Sequence, residues 1–250
     1  MLILLPPSEG KAVPERGEPV ELASLVFAEQ LGERRELLLA ALERLGGKSM
    51  KSAIAALGIS AGQADDVAVD AALREAPAAP AAEVYTGVLY ERLGLPALPA
   101  AARRRAAKQV LIASSLWGFL GPEDRIPYYR FPAKARLPRV GPPSAWWRDS
   151  LATAMPDEAG ALVVDMRSAA YAAAWKPKRA TLLAVRAFSE SGGVRKPVSH
   201  MAKAVRGEVA QALLLSKVQP RDPAAAAAIA GDAGFEVELT GTSLDVIVSG

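Results

Sequence analysis

Apolar residues in this chain come in two spacings, and the alternation between them outlines the fold. Met1-Leu2-Ile3-Leu4-Leu5 is a short continuous apolar run that stops at Pro6-Pro7, which predicts a buried strand. Glu21–Leu45 instead sets its leucines among charged residues at helical intervals, and Gly46-Gly47 ends the pattern. Further strands are expected at Gln109–Ala113, Leu162–Met166 and Thr181–Phe188. Helices are expected at Ala100–Lys108, Ala145–Ala154, Ala169–Ala174, Ser199–Leu215 and Pro223–Ala230. Near the end of the chain, Phe235–Leu239 and Asp245–Val248 alternate on either side of Thr240-Gly241-Thr242-Ser243, as the arms of a hairpin do. Strands interleaved with helices predict an α/β (mixed α+β) fold, with one central mixed sheet and flanking helices. Pro77–Ala82 and Pro138–Pro143 have linker composition, yet neither divides the pattern, so residues 1–250 are expected to form a single domain.

Composition narrows the chemistry. With 250 residues, 51% of them hydrophobic, the chain can bury a substantial core. No apolar run approaches the roughly 18 to 20 residues of a membrane span, and the first run has no basic leader. A cytoplasmic protein with no membrane partner is therefore expected. The sequence has no cysteine and one histidine, which excludes disulfides, thiolate nucleophiles and multi-histidine metal centres. Neither a metal nor another cofactor is expected.

A net charge of +3 conceals a partition. Residues 1–100 carry 9 Lys and Arg against 14 Asp and Glu, residues 101–210 carry 19 against 8, and residues 211–250 carry 2 against 5. Arg103-Arg104-Arg105 with Lys108 fits a solvated helix face as well as it fits a binding patch. Lys176-Pro177-Lys178-Arg179 and Arg195-Lys196 flank predicted strands, where loops carry function, and favour a polyanionic partner.

Polar side chains gather where strands end. Ser8, Glu9, Gly10 and Lys11 follow the first strand, Ser114, Ser115 and Trp117 the second, and Arg167 and Ser168 the third. In open α/β sheets ligands bind at that edge. Asp165-Met166-Arg167-Ser168 places a carboxylate, a guanidinium and a hydroxyl next to Tyr171, which suits either an anion site or a capped helix with a buried ion pair. Ser199 is a natural helix cap, and His200, Lys203 and Arg206 recur at i, i+3 and i+6, so cations concentrate where the helix dipole is already positive. These three segments are expected to converge on one anion-accepting cleft, since their polar groups are costly to bury without partners. Ala53–Ala64 reads as a helix, a tight Gly58-Ile59-Ser60 turn and a second helix from about Ala61. It resembles a helix-hairpin-helix element, whose backbone N–H groups grip DNA phosphates, with Lys48 and Lys51 close by. An ordinary pair of antiparallel helices explains the segment equally well.

Several motifs recur in a known order. Met1-Leu2-Ile3-Leu4 with Pro7, Val84-Tyr85-Thr86-Gly87, Leu116-Trp117-Gly118-Phe119-Leu120 with Pro122, and Pro127-Tyr128-Tyr129-Arg130 occupy the first half. Ser168 with Tyr171, Lys176-Pro177-Lys178, and Ser199 with Lys203 and Arg206-Gly207 occupy the second. Together they resemble the YaaA family of peroxide-stress proteins over nearly the whole chain. The resemblance implies a single-domain mixed fold with a positively charged cleft and a helix-hairpin-helix element. It also implies binding to double-stranded DNA and a role in limiting iron-linked oxidative damage.

Two functions stay open on the residues alone. A duplex binder would use Lys48, Lys51 and the Gly58-Ile59-Ser60 turn together with a basic cleft. An enzyme acting on a small anionic substrate would use the cleft's polar variety: Ser8, Lys11, Tyr85, Thr86, Arg130, Arg167, Ser168 and Tyr171, then Lys176, Lys178, Ser199, His200, Lys203 and Arg206. In that case Lys203 or His200 would be the general base. Trp146-Trp147 could mark an interaction surface, although paired tryptophans before an amphipathic helix more often anchor a core.

Overall fold

The computed structural model describes residues 1–191, 194–197 and 200–249; Ser199 and the His200 side chain lie outside the described residues. After β1 (Leu2–Leu5) the chain forms α1 (Ala28–Gly46), α2 (Met50–Leu57) and α3 (Asp66–Ala71). A short β2 (Ala79–Pro80) leads through α4 (Ala81–Val84), α5 (Val88–Leu93) and α6 (Ala100–Gln109) to β3 (Val110–Ser114), β4 (Gly118–Leu120) and β5 (Arg125–Ile126). There follow α7 (Pro143–Ala154), β6 (Leu162–Asp165), α8 (Ala169–Ala172), β7 (Thr181–Ser191) and β8 (Val194–Pro197). The chain closes with α9 (His200–Leu215), α10 (Pro223–Asp232), β9 (Glu236–Thr240) and β10 (Ser243–Ser249).

The fold is mixed α/β around an eight-stranded sheet of order β4-β3-β1-β6-β7-β10-β9, with β8 paired to β7. From β3 to β10 neighbours run parallel, while β4, β8 and β9 join antiparallel. Ile3, Leu4 and Leu5 have no exposed surface, which is why β1 reads as an unbroken apolar run. Prolines 6 and 7 then end it, because proline has no N–H to continue a ladder.

The expected Glu21–Leu45 helix is interrupted. A 3-10 turn at Leu22–Ser24 is separated from α1 by Phe27, whose φ of 58° is left-handed. The buried stripe of α1 includes Arg35 among its leucines. Arg35 donates to the carbonyl oxygens of Val26, Trp117 and Phe119, so one fully buried guanidinium serves the backbone around β4. Trp147 is likewise core: its indole N–H donates to Ser115 O, and 1% of it is exposed.

In the hairpin segment α2 ends at Gly58, φ +65°, as the sequence predicts. The second helix does not begin at Ala61. Ser60 and Gln63 close a 3-10 turn over Ala61–Gln63, with Ser60 N and Oγ both donating to Gln63 Oε1, and α3 starts only at Asp66. Asp65 at the cap of α3 and Asp66 in its first turn therefore stand where a helix-hairpin-helix element presents free N–H groups, an offset of the second helix from the expected Ala61.

Candidate functional site

Because β1, β3 and β6 are parallel neighbours, their carboxyl ends share one edge of the sheet. A cavity of about 560 Å³ lies there. Four separated segments line it: the loop after β1 with Ser8 and Lys11, the Gly58-Ile59 turn with Gln63, the stretch from Tyr129 to Lys134 with Arg136, and Ala170-Tyr171.

The loop after β1 is held by the segment at the end of α4. Lys11 bridges Tyr85 in antiparallel fashion, Ala12 N donates to Val84 O at 2.8 Å, and Thr86 N donates to Gly10 O at 3.1 Å. Lys11 is thereby turned inward: its Nζ donates to Ser8 O at 2.8 Å and lies 4.5 Å from the Tyr129 ring centroid and 5.7 Å from that of Tyr85. Burial lowers its pKa to about 8, with the positive charge of Arg130 acting in the same sense and Asp70, Glu9 and Asp66 opposing.

Arg130 is positioned by α3. Asp66 and Asp70 stand at i and i+4, on one face of that helix. Asp70 Oδ1 accepts from Arg130 N at 2.8 Å, while Asp66 accepts from Arg130 Nε at 3.2 Å and from the Tyr128 hydroxyl at 3.0 Å. Asp70 is 2% exposed and its Oδ2 has no hydrogen-bond partner among the described residues. Burial pushes its carboxyl up to about 8, against the stabilising Arg130 N–H. Sequence reasoning did not single out Asp70, whose role depends on the approach of Arg130 from a segment sixty residues away.

Beneath the cavity runs a chain of buried hydroxyls. Tyr85 and Tyr129 oxygens are 2.6 Å apart, and Tyr129 is 2.8 Å from Ser114 Oγ, which also accepts from Leu116 N and Trp117 N. Burial raises both phenols above their ordinary value, and it raises Tyr171 as well. Tyr85 thus supports Tyr129 and does not line the cavity, while Thr86 is half-buried beside Gly10.

Other expected cleft residues lie elsewhere. Arg167 does not reach the cavity: its side chain has no exposed surface, pairs with Asp165 at 2.8 Å and donates to Trp175 O, so of the two alternatives for this segment the buried ion pair accounts for it and the cleft role expected of Arg167 does not hold. Ser168 occupies the cap position of α8, but its side chain makes no capping bond and the residue is exposed outside the cavity lining. Lys176 and Lys178 line a different depression, with Arg148 and Asp157. Lys203 is exposed and absent from the cavity wall. Arg206 is half-buried, donates to Val185 O at 3.3 Å, and has its pKa lowered by burial against the pull of Asp165. The cap role of Ser199 and the base role of His200 fall outside the described residues. Lys48 and Lys51 are exposed at the start of α2, the opposite end of that helix from the turn; Ser60 is exposed in the turn, and Gly58 and Ile59 line the cavity. Of the three segments expected to converge, the cavity wall takes Ser8 and Lys11 from the β1 loop and Tyr171 from the Asp165–Tyr171 turn, and neither Ser168 nor Lys203. Sequence reasoning did not single out Lys134 or Arg136, which sit in irregular backbone with no periodic signal, or Gln63, which closes the short 3-10 turn.

Among the described residues, no group of His, Cys, Asp or Glu could hold a metal ion, and no helix is long and apolar enough to cross a membrane. The fold and cleft define a class: a mixed α/β protein with a cation-lined cavity at the carboxyl ends of its parallel strands. The family described as "Peroxide stress protein YaaA" matches residues 1–238, and the chain belongs to that family. A UPF0246 protein of Streptomyces coelicolor is 44% identical over 99% of this chain and 98% of its own. One from Corynebacterium glutamicum is 35% identical over 95% of each, and an uncharacterized protein of Campylobacter jejuni is 28% identical over 83% and 82%. UPF0246 and YaaA proteins are one family, and its description is that of a peroxide-stress protein.

Proposed function

We propose that this protein binds duplex DNA in the cytoplasm through its phosphate backbone, without sequence preference, and so limits iron-dependent oxidative damage. The observation that carries the reading is the convergence of Lys11, Arg130, Lys134 and Arg136 on one cavity bounded by the Gly58-Ile59 turn. Lys134 and Arg136 are exposed at the rim, where they can meet phosphates without losing hydration. In this reading exposed Lys48 and Lys51, at the start of α2, and exposed Ser60, in the turn, add contacts to the same duplex. A chain covering the backbone displaces the iron that reduces peroxide there. Residues 1–250 act as one unit in this reading.

A second reading is favoured by the interior of the cleft. A volume of about 560 Å³ suits a single small ligand. Lys11 on the cavity wall, with its lowered pKa, and Asp70 buried behind Arg130, with its raised one, form the kind of separated pair that acid–base chemistry uses. The small anionic ligand would then be gripped by Arg130 beside Ser8 and Tyr171. Fluorescence anisotropy with a labelled duplex, over a salt titration, tests the first reading: steep loss of affinity with salt is expected, and no binding at low salt contradicts it.

A further inference from the structure

We propose that Lys11 is an amine nucleophile that condenses to an imine with an aldehyde carried beside a phosphate in the cleft. The proposal rests on the reading that the cleft holds phosphate. Lys11 lines the cavity, yet it takes part in none of the ion pairs among the described residues. Its ammonium is held only by the Ser8 carbonyl and two aromatic faces, with the cation of Arg130 on the same wall. A lysine kept for phosphate alone would be exposed and hydrated, as Lys134 is. A lysine desolvated beside a second cation sheds its proton and exposes a lone pair. At neutral pH the lowered pKa of about 8 leaves on the order of 100-fold more free amine than an ordinary lysine has.

The reaction balances without a redox partner. The Lys11 nitrogen attacks the carbonyl carbon, a C–N bond forms, and the carbonyl oxygen takes a proton to give a carbinolamine. The nitrogen lone pair then expels that oxygen as water, so both amine protons and the oxygen leave together and a C=N bond remains. Arg130, Lys134 and Arg136 supply anchorage for the adjoining phosphate. Two sources present this chemistry: an abasic deoxyribose, which opens to an aldehyde between two phosphates, and a free phosphorylated aldehyde.

Borohydride trapping tests it. The wild-type protein is incubated with a duplex carrying one abasic site, with a duplex carrying the tetrahydrofuran analogue that lacks the aldehyde, or with glyceraldehyde 3-phosphate; borohydride is then added and adducts are mapped by peptide mass. An adduct concentrated on Lys11 with the abasic duplex, and none with the analogue, supports the proposal with nucleic acid as the source. An adduct on Lys11 with glyceraldehyde 3-phosphate only supports it with a small metabolite as the source. No adduct on Lys11 in either arm, or labelling spread equally over exposed lysines, overturns it. Mapping on the wild type makes the result independent of whether Lys11→Ala folds. Anisotropy on an undamaged duplex, measured alongside, separates the two readings, since retained binding without trapping removes the imine and leaves phosphate binding standing.

Discussion

Lys11 Nζ lies 4.5 Å from the centre of the Tyr129 ring, and that ring's hydroxyl is tied to the end of β3 through Ser114. The contact joins two segments more than a hundred residues apart and sets the floor of the cleft. Tyr129→Phe keeps the ring under the ammonium but removes a hydroxyl shared by Tyr85 and Ser114. Loss of about 1–3 kcal/mol is expected in urea denaturation, because two buried oxygens each lose a partner.

Asp70 gives the protein a distinctive stability profile. Its carboxyl titrates near 8 when folded and near 4 when unfolded, so between those values the folded chain holds a proton that the unfolded chain has released. The contribution of Asp70 therefore falls as pH rises from about 4 to about 8 and stays at its lowest above that. Lys11 acts in a separate window: its lowered pKa costs stability below about 8, and that cost is relieved as pH rises toward 10.5. Asp70→Asn is expected to flatten the decline between pH 4 and 8 in thermal melts taken across that range. An unchanged slope would mean that Asp70 is ionised in the fold.

Gly207 marks where α9 crosses α5 most closely. A methyl group built on it would come 2.2 Å from Leu89 O and 3.0 Å from Arg92 Cβ, so the helices must part to admit it. Gly207→Ala is expected to lose about 1–3 kcal/mol by chemical denaturation despite alanine's better helix propensity. The other glycine of α9's surroundings, Gly94, has more room and is governed by its left-handed φ.

Strands buried on both faces were the most legible part of the chain. β1, β3 and β6 begin within one residue of the expected positions, since a continuous apolar run between breakers has few other meanings, whereas β7, which exposes Thr181 and Arg186, begins as expected but runs on to Ser191. The terminal hairpin was legible for the complementary reason, its alternation across a glycine turn. The short elements β2, α4, β4, β5 and β8 were not, because two to four residues carry no period. In the site, Lys11, Arg130 and Tyr171 were found as polar residues after strands or within motifs. Arg167 stayed ambiguous, as a guanidinium two residues beyond a strand reads alike whether it meets a ligand or Asp165. Asp70 and the Lys134–Arg136 rim depend on tertiary approach, for which a local pattern offers nothing.

The Gly58 turn separates backbone geometry from charge. Gly58→Val places a β-branched residue at φ +65° with its Cβ 3.2 Å from the Lys134 side chain, at a strain of about 1–3 kcal/mol. Lys51→Ala removes only one exposed charge. By anisotropy both variants are expected to bind duplex more weakly, Gly58→Val the more so. Normal binding by a folded Gly58→Val protein would make the segment a structural pair of helices.

The salt dependence of duplex affinity in three proteins tests the cleft most directly: wild type, Arg136→Ala at the rim, and Lys203→Ala outside the cavity. Between about 50 and 200 mM salt, log Kd should rise linearly with log salt for the wild type, with a slope close to the number of phosphates engaged. Arg136→Ala should weaken binding uniformly across sequences and lower the slope by about one, while Lys203→Ala should reproduce the wild-type line. An absence of binding at the lowest salt, or Lys203→Ala weakening binding as much as Arg136→Ala, would contradict phosphate binding in this cleft.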